Sequence, residues 1–145
     1  MNRKAMLGKQ EGVALLEALI GILIFSIGVL AVVGMQALAV KNVAESKYRM
    51  DASFLANEVI GQMWSNRANL ASYKLAGGAA DPVVEGWVKK VAATLPGAGA
   101  NPPTIDIGAN NVITVTIFWQ HPDEANQSAP PAPHNYRVVT SINCC

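Results

Sequence analysis

The sequence lacks an excess of charge of either sign. Its 145 residues include 11 Lys or Arg and 10 Asp or Glu, which gives a formal net charge of +1 at pH 7. A protein that binds the phosphate backbone of nucleic acid needs a basic patch or stripe on its surface. The near-neutral balance provides no such footprint, so we expect no nucleic acid partner.

The common enzyme motifs are also missing. The sequence contains no G-x-S-x-G, no Gly-rich phosphate loop, no H-E-x-x-H and no C-x-x-C. We therefore predict that the protein is not an enzyme and has no catalytic residues, no cofactor and no metal ion. His121 and His134 lie near Asp123 and Glu124, but their spacing matches no known metal site. Solvated surface histidines are the simpler interpretation.

Cysteine is scarce as well, and the two cysteines, Cys144 and Cys145, are adjacent. A disulfide bond between sequence neighbours is strained, because the bridge prefers Cα atoms farther apart than the ~3.8 Å of a trans peptide. An intermolecular disulfide, a mixed disulfide and free thiols are all open for this pair.

Charge is almost absent from Gly12 to Val40, where Glu17 is the only charged residue. About 20 apolar residues suffice to cross a bilayer as a helix, and a charge inside such a span costs roughly 2.5 to 3.5 kcal/mol. The basic residues Arg3, Lys4 and Lys9 precede the segment and favour a cytoplasmic N-terminus. The sequence thus predicts a membrane helix followed by a periplasmic or extracellular domain.

The residues at the start of this apolar segment have a specific spacing. A short basic leader ends in Gly12, the apolar segment begins at Val13, and Glu17 is the fifth residue counted from Val13. This pattern resembles the N-terminal signature of the type IV pilin-like family. That signature is a charged leader ending in Gly, a hydrophobic first mature residue, and a Glu at the fifth mature position before a membrane helix.

The resemblance implies how the segment is processed and used. A prepilin peptidase would cleave between Gly12 and Val13 and N-methylate the new amine of Val13. The carboxylate of Glu17 would then pair with the amino terminus of a neighbouring subunit as the helix leaves the bilayer for a filament. A carboxylate is unfavourable in lipid, and an ion pair with a cation in a low-dielectric helical core stabilises it.

Two simpler interpretations of the apolar segment compete with this one. In a secretory signal peptide, residues 37–39 (Ala-Leu-Ala) would supply the cleavage site, but the segment is too long and carries Glu17 in its first turn. In a plain single-pass anchor, Glu17 would extend to the lipid headgroups. Neither interpretation explains Gly12 and Glu17 together.

The absence of proline between Val13 and Pro82 predicts one continuous helix from Val13 to about Tyr73, with an amphipathic second half. We expect one face of that half to pack against the globular domain. The residues of this face are Tyr48, Ala52, Leu55, Ala56, Val59, Met63 and Leu70. Met50 and Phe54, together with Val43, form a smaller apolar strip beside the charged face of the helix, and we hypothesise that Met50 and Phe54 contact neighbouring subunits.

The remaining sequence predicts one short helix and a small sheet. The helix begins after an Asp81 N-cap and ends before Pro96. Strands are predicted at residues 104–107, 112–120 and 136–142, the first two as a hairpin. The proline-rich segment of residues 121–134 predicts an exposed, mobile loop.

The layout of these elements resembles that of minor pilins. The resemblance implies an α+β, pilin-like fold in which a long N-terminal helix packs against a small antiparallel β-sheet, with a short second helix. It divides the chain into a cleaved leader (residues 1–12), a transmembrane or filament-core helix (13–40) and a periplasmic globular pilin domain (41–145). A minor pseudopilin of a type II secretion system has the same N-terminus and is the alternative.

The resemblance also implies partners and a location. The partners are the prepilin peptidase, other minor pilins, the major pilin, an inner-membrane assembly platform, and membrane lipid before assembly. The chain would cross the inner membrane once and then enter a pilus at the cell surface. There it would prime filament assembly at or near the tip and support adhesion or twitching motility.

Overall fold

The structure is a computed structural model that describes residues 11–77 and 79–143. Most of the predicted leader, Gly78 of the predicted Gly77-Gly78 turn, and the pair Cys144 and Cys145 lie outside the described residues. The chain divides into two compact units, residues 1–44 and residues 45–145.

The first unit consists, in its described part, of one continuous helix. Helix α1 spans Glu11–Ser65 and so confirms a helix throughout the apolar segment. Residues 12–43 are all exposed to solvent. The Ser26 hydroxyl donates to the carbonyl of Ile22 at 2.7 Å, so this polar group is satisfied within the helix. Among the described residues, α1 is the one helix long and apolar enough to cross a membrane.

The second unit begins on α1, which ends earlier than predicted. The α-helix stops at Ser65, and a 3-10 helix over Arg67–Tyr73 follows, so the predicted continuation to Tyr73 is wrong. Asn66 takes a non-helical conformation, and its side-chain oxygen accepts a hydrogen bond from Asn69 at 3.0 Å. Asn side chains that bond locally compete with the helical backbone, and this pair ends the α-helix.

The face of this helical region that packs inward is the predicted one. Six of its seven residues are buried, and Tyr48 packs at the margin of the core. The buried six are Ala52, Leu55, Ala56, Val59, Met63 and Leu70. The amphipathic pattern therefore identifies correctly the surface on which the rest of the unit is built.

A second helix, α2, spans Pro82–Thr94 and confirms the predicted short helix. The side chain of Asp81 accepts a hydrogen bond from the backbone N–H of Val83 at 3.0 Å, which satisfies one orphan donor of the first turn. Trp87 is buried, and its indole Nε1 donates to the carbonyl oxygen of Leu55 at 2.9 Å. This bond fixes α2 on α1.

The sheet has four antiparallel strands in the order β1-β2-β3-β4. They are β1 Leu75–Ala76, β2 Thr104–Ile107, β3 Val112–Trp119 and β4 His134–Ser141. The β2-β3 hairpin is confirmed, β1 was not predicted, and β4 begins two residues before the prediction. The side chains of β3 alternate as expected, with Ile113, Val115, Ile117 and Trp119 buried. A long helix on a small antiparallel sheet with shorter helices confirms the α+β class.

The segment after α2 positions the end of β3. Gly97 has φ +72, and a Cβ added there would lie 3.0 Å from the Cβ of Gln120, so the close approach requires glycine. The backbone N–H of Gln120 donates to the carbonyl of Pro96 at 2.9 Å. These contacts fix the chain where it enters the four-residue helix α3, Pro122–Ala125.

Candidate functional site

The residues that match the pilin-like signature lie in the first turns of α1. Val13 and Glu17 are four residues apart, which places them on the same side of the helix, about 6 Å apart along its axis. Val13 is 65% exposed and Glu17 is also exposed. No described residue covers these two side chains, so another molecule can contact both.

Gly12 has no packing role among the described residues. A Cβ added at Gly12 would meet no atom within 4 Å. Glycine in a helix costs about 0.5 to 1 kcal/mol relative to alanine, and the described fold gives no packing reason for a glycine at this position. Gly21, Gly28 and Gly34 also have open space around them, which allows a second helix to approach closely in lipid.

The apolar segment of α1 forms an uncovered hydrophobic surface. Large side chains such as Phe25 and Leu30 are more than two-thirds exposed. A soluble monomer rarely exposes a contiguous apolar surface of this extent. By length and composition, the segment could cross a membrane.

A smaller exposed strip lies further along α1, at Met50 and Phe54. The ammonium group of Lys90 lies 5.8 Å from the ring centre of Phe54 and pairs with the carboxylate of Glu58 at 2.8 Å. The strip is therefore apolar with a charged border. Its contact with neighbouring subunits stays a prediction.

The second unit also contains a polar cluster that the sequence did not predict. We call the four side chains Glu45, His121, Glu124 and His134 the Glu45 cluster. Glu45 lies on α1, His121 occupies the N-cap position of α3, Glu124 belongs to α3, and His134 is the first residue of β4. The cluster thus joins three separate elements of the unit.

Glu45 is the hub of this cluster. Its Oε2 accepts a hydrogen bond from the indole Nε1 of Trp119 at 3.3 Å and lies 3.2 Å from Nε2 of His121. Its Oε1 lies 3.6 Å from Nδ1 of His134. Nε2 of His134 lies 3.0 Å from Oε2 of Glu124, so His134 has a carboxylate at each ring nitrogen.

Aromatic rings enclose the same group. The ring of His134 stacks on Trp119 with centroids 5.9 Å apart, and Tyr48 meets His121 edge-on at 5.1 Å. His121 is 8% exposed and Glu124 is 9% exposed. Burial among rings makes each polar contact costly to lose, because a buried group left without a partner keeps its desolvation cost.

This arrangement corrects the expectation for residues 121–134. His121 is not a solvated surface histidine, and the segment is not an exposed loop throughout, because α3 packs His121 and Glu124 inward. Residues 125–132 are exposed, as predicted.

Within residues 11–77 and 79–143, no group of three or more His, Cys, Asp or Glu side chains is arranged to hold a metal ion. The carboxylate oxygens of the Glu45 cluster contact the histidine nitrogens directly. A metal site would instead require these atoms to converge on a common point between them. What this arrangement can do chemically is hold α1, α3 and β4 together.

Sequence analysis missed Glu45, although a signal was present. Glu45 precedes Tyr48 by three residues, so it extends the inward face of α1 by one turn toward the N-terminus. A carboxylate on an otherwise apolar face indicates a buried polar partner. His121 and His134 are the partners, but the proline-rich composition between them favoured a solvated loop.

Comparisons with protein-family models, with characterised proteins and with solved structures found no match to this chain. The roles of Gly12, Val13 and Glu17 remain predictions. Cys144 and Cys145, the predicted disulfide or free thiols, lie outside the described residues.

We predict that Glu45→Gln lowers the free energy of unfolding by about 1 to 3 kcal/mol, because a neutral amide oxygen accepts more weakly than a carboxylate from Trp119 and His121, and an NH₂ donor replaces the oxygen that lies near Nδ1 of His134. The matched control is Glu85→Gln, since Glu85 only pairs with Lys89 on the exposed surface of α2. That control should change stability by less than about 0.5 kcal/mol. Denaturant unfolding of the full chain in detergent, followed by tryptophan fluorescence, measures both; equal effects would contradict a structural role for the cluster.

Proposed function

We propose that this protein is a minor pilin subunit of a type IV pilus. The observation that carries the proposal is the spacing of Gly12, Val13 and Glu17 at the start of an exposed apolar helix. The pattern of the remaining chain resembles the minor pilin called type IV pilus modification protein PilV. In this role the protein acts by assembly, joining other minor pilins to prime the filament.

The uncovered surface of α1 is consistent with two environments for the subunit, first the membrane and then the filament. Lipid covers residues 13–40 before assembly, and neighbouring helices cover them in the filament. Gly21, Gly28 and Gly34 leave room for close helix packing, since no described atom lies near a Cβ added there.

Glu17 supplies the directional part of assembly. Its carboxylate is exposed, and no described residue neutralises it in an ion pair. In lipid the charge is costly, whereas the methylated amine of Val13 on a neighbouring subunit would compensate it. Cleavage between Gly12 and Val13 by the prepilin peptidase creates that amine, so processing and docking are linked.

We predict that Glu17→Gln leaves the protein processed and in the membrane but lowers its amount in sheared pili by more than about tenfold, because an uncompensated partner charge in a low-dielectric core costs several kcal/mol. Glu85→Gln, outside the apolar segment, is the control and should assemble normally. Immunoblots of sheared pili and of membranes measure the distribution. Normal assembly of Glu17→Gln would contradict the docking role of Glu17, whereas absence of the wild-type protein from sheared pili would favour a plain membrane anchor.

The strip formed by Met50 and Phe54 gives a second test of subunit contact. We predict that replacing both by Ser lowers incorporation into pili several-fold. Full burial of each large apolar side chain would stabilise the subunit contact by about 1.5 to 3 kcal/mol, and the Ser variant loses this stabilisation. The control pair is Val83→Ser with Val112→Ser, two exposed apolar residues elsewhere on the unit. The same immunoblots apply, and equal incorporation of both double variants would count against the contact.

A further inference from the structure

The segment that connects α3 to β4 contains a modification sequence. It includes the tripeptide Asn126-Gln127-Ser128, which has the form Asn-x-Ser with a residue other than proline in the middle. This form is the acceptor sequence for N-linked glycosylation of surface loops in exported proteins. No other asparagine in the sequence is followed by Ser or Thr two residues later. The motif therefore singles out one asparagine, and the structure shows what surrounds it.

The side chain of Asn126 is accessible and has no partner to give up. Asn126 occupies the C-cap position of α3, with φ −90 and ψ 4, and it is exposed, as are Gln127 and Ser128. Within residues 11–77 and 79–143, its carboxamide makes no hydrogen bond. The carboxamides of Asn57 and Asn101, by contrast, donate to backbone carbonyls of their own segments. An enzyme can therefore reach the nitrogen of Asn126 without breaking a side-chain contact.

The backbone around Asn126 can also move into an enzyme while the core stays folded. Residues 126–128 belong to no strand, and the hydrogen bond from the N–H of Gln127 to the carbonyl of Glu124 is long, at 3.3 Å. The segment is held on either side of the tripeptide. Glu124 pairs with His134 at 3.0 Å, and Nε2 of Gln120 donates to the carbonyl of Pro131 at 3.1 Å. Local opening between these two contacts leaves the sheet and helices in place.

We propose that Asn126 is the acceptor of an N-linked oligosaccharide. The donor is an oligosaccharide attached through pyrophosphate to a membrane lipid. The carboxamide nitrogen forms a bond to C1 of the first sugar, and the bond between C1 and the pyrophosphate oxygen breaks. The lipid pyrophosphate leaves with the bonding electrons, and the nitrogen gives one proton to a base of the transferase. Ser128 is a recognition residue, because its exposed hydroxyl can hydrogen-bond to the transferase.

The inference rests on one part of the proposed function, the location of the second unit outside the cytoplasm. The basic residues before the apolar segment favour that location, and the membrane supplies the lipid-linked donor. The inference does not depend on Glu17 or on entry into a filament. An oligosaccharide at Asn126 stays in solvent, because residues 125–132 are exposed. It would cover the proline-rich segment without entering the core.

The test uses the full chain purified in detergent from membranes of the cells that make it. Intact mass measures any addition beyond the processed peptide, and mass spectrometry of proteolytic fragments locates it. We expect a mass corresponding to a chain of monosaccharide residues on the fragment that contains Asn126. Asn126→Gln and Ser128→Ala should each lose this mass completely, whereas Ser128→Thr keeps the hydroxyl and should retain it. Asn135→Gln is the matched control, since Asn135 is exposed but lies outside any such tripeptide.

Protease added outside the cytoplasm separates this proposal from the pilin proposal. An unmodified Asn126 in a second unit that the protease digests would overturn glycosylation and leave the pilin role untouched. A second unit that the protease cannot reach would overturn both, because both place it outside the cytoplasm. A sugar mass that persists in Asn126→Gln would also overturn the assignment, since another residue would then carry it.

Discussion

The proposed function depends on an apolar helix surface that no described part of the chain covers. Residues 12–43 of α1 are exposed along their whole length, and Glu17 is the one charge within the apolar segment. Water is a poor environment for the apolar side chains, and lipid is a poor environment for the carboxylate. A filament core of packed helices accommodates both, provided that a cation meets Glu17. The proposed processing at Val13 supplies such a cation.

The second unit is built on the part of α1 that follows residue 44. Its amphipathic face forms one wall of the core, and Trp87 attaches α2 through the carbonyl of Leu55. At the N-terminal end of this face, Glu45 gathers Trp119, His121 and His134. Apolar packing around Leu55 and the polar network around Glu45 thus attach the rest of the unit to two different positions along α1. The network also fixes where α3 and β4 begin.

Periodicity predicted the parts of the fold that depend on local pattern. The helix face from Tyr48 to Leu70, α2 with its Asp81 cap, and the β2-β3 hairpin follow from spacing and turn residues. Contacts between distant residues escaped prediction. The two-residue strand β1 exists because β2 pairs with it, and the Glu45 cluster joins residues 76 positions apart. The end of α1 at Ser65 depends on the hydrogen bond between the side chains of Asn66 and Asn69, which competes with the helical backbone. The spacing of apolar residues gives no information about such a bond.

The most direct test of the central claim is intact-mass and N-terminal analysis of the protein recovered from membranes, with and without the prepilin peptidase. The account predicts a mature chain that starts at N-methylated Val13 only when the peptidase is present. A start near Val40 would mean release by an ordinary signal peptidase. An intact start at Met1 or Asn2 in the presence of the peptidase would mean a simple anchor, and either result would contradict the assembly role of Glu17.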